Sequence, residues 1–128
     1  MIYVDTSVAL AQLLAEDRLP PDEMWEEPLV SSRLLEYEVW NRIHARNLSA
    51  THGDAIRVLT GRIAFLDLSA PVLARALERF PTPVRTLDAL HLASVEFLRQ
   101  HGQKVRLATY DDRMFQCARS LGIPLYGL

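Results

Sequence analysis

The sequence predicts an α/β domain, a three-layer α/β/α sandwich with a mainly parallel sheet of about five strands. Three observations predict it. Short β-rich runs alternate with helical periods along the whole chain, the pattern of parallel strands joined by helical crossovers. The 128 residues are 49% hydrophobic, an ordinary share for a chain that fills one core. No internal repeat, low-complexity tract or long linker divides the chain, so residues 1–128 read as a single domain.

Met1-Ile2-Tyr3-Val4 is a β-rich run that stops at Asp5. Thr6 or Asp5 caps the next segment, Ser7 to Ala15, where Val8, Leu10, Ala11, Leu13 and Leu14 keep helical spacing. Pro20-Pro21 breaks the chain, and Asp22 to Glu27 is one or two helical turns. Pro28 opens a second strand ending at Ser31, and Ser32 to Asn47 is a helix with Leu35, Val39 and Ile43 in one i, i+4 row. Ser49 to Gly61 is a further helix closed by glycine, and Ile63 to Leu68 a third strand. Pro71 suits the first turn of a helix running to about Phe80, and Pro81-Thr82-Pro83 is a rigid connector. Thr86 starts a long helix to His101, stopped by Gly102. Val105 to Thr109 is a fourth strand, Asp111 to Leu121 a helix, and Ile123 to Tyr126 a fifth strand. Two helices lie between strands two and three, and two between strands three and four. A parallel crossover needs an odd number of full traverses, so one helix of each pair is expected to run obliquely.

Composition excludes several classes. A disordered chain combines few apolar residues with high net charge, and this one has a net charge of −2. There is no general basic coat, so any contact with nucleic acid must come from a local patch. Thirteen of the fourteen basic residues are arginine, whose planar fork suits phosphate, though a codon bias of the source explains the excess equally well. Eight of the fourteen basic residues, seven arginines and Lys104, lie beyond residue 70, so a phosphate-bearing partner is expected across that half. The lone Cys117 rules out an internal disulfide and fits a reducing, cytoplasmic setting; it reads as structural. No apolar run is long enough for a membrane span, and no secretion signal is expected.

The chemistry lies in the carboxylates. Ligands of a parallel sheet bind beyond the carboxyl ends of its strands. Asp5 follows strand one and Asp111 strand four. Asp88 is in the first turn of the helix feeding strand four, and Glu38 in the second turn of the helix leaving strand two. All four should meet at one edge, where like charges repel and a hard cation such as Mg²⁺ or Mn²⁺ compensates. Each also has an ordinary structural use. Asp5 and Asp111 are suitable helix caps, Asp88 a first-turn acid, and Glu38 a partner for Arg42 one turn on. Asp112 is an alternative to Asp111, and Glu36 is rotated around the helix from Glu38. His91, three residues after Asp88, reads as a satisfied helix-face histidine within reach of the site; His44, His52 and His101 show no zinc-like spacing.

Four stretches in order carry a family resemblance. Ile2-Tyr3-Val4-Asp5-Thr6-Ser7 resembles the opening strand and turn of PIN-domain ribonucleases. Val30 to Val39 resembles their second strand and glutamate-bearing helix. Leu87-Asp88-Ala89-Leu90-His91-Leu92-Ala93 is similar to the family's most distinctive stretch, and Ala108-Thr109-Tyr110-Asp111 to its fourth-strand end. Order, spacing and length resemble the VapC-like toxins of toxin–antitoxin pairs. The resemblance implies a PIN-like domain and a magnesium-dependent endoribonuclease in which Asp5, Glu38, Asp88 and Asp111 hold Mg²⁺ (or Mn²⁺), one ion or two, with Thr6 and Thr109 assisting. It also implies an RNA substrate, a cognate antitoxin, a homodimer and a toxin–antitoxin complex. Trp25, Tyr37 and Trp40 are candidates for a groove that takes the antitoxin, with core packing as their ordinary use.

Two other functions share the size and alternation. A phospho-receiver module would use Asp67 near the end of strand three, but it needs paired acids after strand one and a lysine after strand five. Here Thr6-Ser7 follows Asp5, and the only lysine, Lys104, precedes strand four. A haloacid-dehalogenase-like phosphatase needs Asp-x-Asp after strand one, and Ser7 stands at its second position. A catalytically silent PIN-like domain that only binds a partner is the remaining alternative.

Overall fold

The computed structural model describes all residues, Met1–Leu128. The order of elements is β1 (Ile2–Val4), α1 (Thr6–Leu13), a 3-10 turn (Asp22–Glu26), β2 (Leu29–Ser32), α2 (Leu34–Ala45), α3 (Ser49–Thr60), β3 (Ile63–Leu66), α4 (Ala70–Ala76), α5 (Thr86–Gln100), β4 (Arg106–Ala108) and α6 (Asp112–Ser120). The four strands form one sheet in the order β3-β2-β1-β4, and every pairing is parallel. The expected α/β sandwich is therefore present, with four strands instead of about five. The fifth is reduced to a parallel bridge between Leu107 and Leu125. Pro124 brings only its carbonyl to that bridge, accepting from the Leu107 N–H, because proline has no N–H to extend a ladder.

β1 shows how three residues build a three-layer molecule. Side chains alternate across a strand. Ile2 and Val4 join the core formed with α1, α2 and α3, which includes Leu35, Val39, Ile43 and Ile56. Tyr3 points the other way, into the core under α5 and α6 with Leu92, Val95, Met114 and Cys117. Every residue of β1 and β2 is buried, as expected for strands covered on both faces. The row Leu35, Val39, Ile43 is fully buried, as its spacing predicts. In each two-helix connection the helices pack on one another, α2 on α3 and α4 on α5. Gly102 ends α5 at φ +82°, where a side chain would be strained.

Candidate active site

The carboxyl ends of β1 and β4 open into a pocket of about 720 Å³ whose lining includes Asp5, Glu38, Asp88 and Asp111. The four carboxylates expected to meet do so. Asp112 is exposed and outside the lining, and Glu36 pairs with Arg33 on the surface at 3.1 Å.

Asp5 is the N-cap of α1. Its Oδ1 accepts from the Ser7 hydroxyl at 2.6 Å and the Val8 N–H at 3.2 Å, and its Oδ2 accepts from the Thr109 hydroxyl. The Thr109 oxygen accepts from the Asp111 N–H, and the Ser7 oxygen from the Tyr110 N–H. These bonds tie the ends of β1 and β4 together around a carboxyl that is 2% exposed. Burial raises its pKa, and the bonds from Ser7 and Thr109 oppose the rise by stabilising the ionised form. Asp111 caps α6, accepting from the Met114 N–H at 2.9 Å. The capping use and the site position of Asp5 and Asp111 thus coexist.

Glu38 forms no ion pair with Arg42. Its Oε1 accepts from the Thr6 hydroxyl at 2.9 Å and lies 2.7 Å from His91 Nε2. Asp88 is the acid of the first turn of α5. Its Oδ2 is buried with no hydrogen-bond partner. Burial, and after it the charges of Asp111, Asp5 and Glu38, pushes its pKa up to about 6.

An orphaned carboxylate oxygen among three further carboxylates offers the oxygen donors that a hard cation takes. As the side chains stand, no three of them gather closely enough to enclose an ion. Mg²⁺ keeps several waters and is held through one or two carboxylates, so the donor set fits that ion. Asp88 Oδ2, Glu38 Oε2 and one oxygen of Asp111 carry no hydrogen bond, whereas both oxygens of Asp5 do.

His91, read from its i+3 step as a satisfied histidine within reach of the site, is both: it is 1% exposed, bonded to Glu38 and part of the pocket lining. Sequence reasoning did not place the arginines. Arg18, Arg42 and Arg85 also line the pocket, and only Arg85 comes from the half beyond residue 70 where basic residues accumulate. Arg18 lies over the Tyr110 ring at 4.5 Å. Trp25 is nearly buried in the core and borders a hollow with Gln12, Leu13 and Val58, whereas Trp40 and Tyr37 line a separate one. Asp67 is solvated, its side chain 85% exposed and paired with Arg33, away from the pocket.

A parallel sheet with acids from four distant segments at its carboxyl edge defines the class of the PIN domain, whose family model matches residues 2–120. The chain belongs to the PIN-domain family, among its VapC-like toxins. It is 34% identical to ribonuclease VapC46 of Mycobacterium tuberculosis over 125 residues, covering 95% of this chain and 93% of that one. It is 29% identical to ribonuclease VapC47 of the same species over 129 residues, with coverage of 95% and 93%. The crystal structure of Mycobacterium tuberculosis VapC20, a sarcin-ricin loop cleaving toxin, matches with a TM-score of 0.65 at 17% identity, over 91% of this chain and 94% of that one. That last likeness concerns the fold. No helix is long and apolar enough to cross a membrane.

Proposed function

We propose that the protein is a magnesium-dependent endoribonuclease and the toxin of a toxin–antitoxin pair. The observation that carries the reading is the convergence of Asp5, Glu38, Asp88 and Asp111 on one pocket, with an oxygen of Asp88 buried and unpaired. The family relationship to proteins named as ribonucleases supports the substrate class.

When bound, Mg²⁺ or Mn²⁺ would supply Lewis-acid stabilisation of the phosphate and activation of the attacking water. Asp88, Glu38 and Asp111 each carry an oxygen free to hold it, with Asp5 beside them. Asp5 forms the rigid floor, locked by Ser7, Val8 and Thr109. Thr6 and Thr109 assist by fixing Glu38 and Asp5. Arg18, Arg42 and Arg85 at the pocket offset the repulsion between a polyanion and the carboxylates. The antitoxin covers the apolar hollow beside Trp25, where Val58 is 68% exposed, and blocks the acidic pocket; a homodimer is what the family resemblance implies.

The test is an RNA-cleavage assay with Mg²⁺ on wild type, Asp5→Asn, Asp88→Asn and Asp67→Asn, with a thermal melt of each. Cleavage is expected to be lost in the first two variants, which stay folded, and kept in the third. Full activity of folded Asp5→Asn or Asp88→Asn would sink the mechanism. Activity dependent on Asp67 would favour the receiver reading, and a wild type inert towards RNA the silent one.

A further inference from the structure

His91 is buried, polar and not among the four carboxylates or the two threonines. It lies on α5 one turn after Asp88, and its two ring nitrogens face different elements. Nδ1 is 2.7 Å from the hydroxyl of Tyr3 on β1. Nε2 is 2.7 Å from Oε1 of Glu38 on α2 and 3.3 Å from Oγ1 of Thr6 on α1. Tyr3 is fully buried, and its ring meets the imidazole edge-on at a centroid separation of 5.7 Å. The Tyr3 oxygen also accepts from the Ser32 N–H at 3.2 Å. A continuous line of hydrogen bonds thus runs from β2 through β1 and α5 to α2, crossing the sheet at its carboxyl edge.

We propose that His91, held in its Nε2–H tautomer by Tyr3, is a positioning residue that anchors Oε1 of Glu38 and leaves Oε2 as the carboxylate's free acceptor.

The donors and acceptors assign the protons. An ionised carboxylate only accepts, so the hydrogen between Oε1 and Nε2 belongs to the imidazole. A ring protonated at Nε2 alone is bare at Nδ1 and there accepts the Tyr3 O–H, whereas an imidazolium would donate to a Tyr3 oxygen that already accepts from the Ser32 N–H. The opposite tautomer would set two lone pairs against each other at Glu38. Rotating Glu38 out of place would leave a buried N–H of His91 unsatisfied, a cost well above the net worth of an ordinary hydrogen bond. Oε1 takes both protein donors, from Thr6 and His91, and the other oxygen takes none. α5 therefore delivers one carboxylate directly, Asp88, and sets a second through the residue one turn on. Hydrogen-bonded partners that orient an ion-holding side chain in this way are worth about ten- to a hundredfold in activity or affinity.

The kinetic consequence rests on the nuclease reading; the tautomer does not. The first measurement is the ¹⁵N spectrum of the His91 ring in metal-free wild type. Nε2 is expected to be protonated and Nδ1 not, and a protonated Nδ1 would overturn the assignment. The second compares His91→Leu with His91→Gln in RNA cleavage at saturating Mg²⁺. Leu fills the space without a donor, and kcat is expected to fall about ten- to a hundredfold with little change in KM. Gln places an N–H near the Nε2 position and should restore most of the loss. A folded His91→Leu with wild-type kcat, or Gln no better than Leu, would overturn the positioning role. If Leu fails to fold, the ring spectrum and the kcat of the Gln variant decide. A wild type that cuts no RNA refutes the nuclease reading alone, and the spectrum still judges the tautomer.

Discussion

Asp88 keeps one oxygen buried without a partner while Asp111, Asp5 and Glu38 repel its charge, and in metal-free protein that arrangement costs folding energy. Its pKa is raised to about 6 from the ordinary 3.8 of an aspartate, so between those values the folded chain holds a proton the unfolded chain has released. Stability from this group is therefore lost as pH rises through the interval and stays lost above it. In chelator, Asp88→Asn should gain on wild type in unfolding free energy between about pH 4 and pH 7. Denaturant curves at several pH values check this, and an unchanging gap would remove the repulsion from the account. At this scale the sequence showed which acids sit near strand ends. It did not show His91 meeting Glu38, 53 positions away, or Tyr3, 88 positions away, because side-chain contacts of that separation exist only after the layers close.

Asp111 does two things for α6, and the element scale separates them. It caps the helix through the Met114 N–H, and its charge faces the pocket. Asparagine is as good a cap as aspartate, while alanine is a poor one. Asp111→Asn should keep the melting temperature and lose cleavage. Asp111→Ala should lose cleavage and also about 1 kcal/mol of stability, read by denaturant unfolding. Equal stability of the two variants would dismiss the cap. Helices were legible because their apolar rows, prolines and terminal glycines are local signals: Leu35, Val39 and Ile43 in α2, Pro71 in α4, Gly102 after α5. Strand boundaries were less so. Val105 to Thr109 shortens to Arg106–Ala108, which pair one for one with the three residues of β1. The expected fifth strand is a single bridge at Leu125.

The whole molecule carries a net charge of −2 and gathers four carboxylates in one pocket, so a cation that binds only the folded state should stabilise it. The melting temperature of wild type is expected to rise with Mg²⁺ or Mn²⁺ up to about 10 mM, beyond the weak end of hard-ion affinities. The rise should shrink in Asp88→Asn, and a wild type indifferent to both ions would remove the metal from the proposal. The α/β class, the order of elements and the edge at which Asp5, Glu38, Asp88 and Asp111 meet were determined by the sequence alone. Hydrophobic period, caps and the handedness of parallel crossovers leave few ways to arrange such a chain. Tertiary structure decided the strand order β3-β2-β1-β4 and the three arginines that share the pocket. It also placed Asp111 and not Asp112 in the pocket lining, and drew the line from Tyr3 through His91 to Glu38. Those depend on which distant side chains share a buried volume, and local spacing carries no record of that volume.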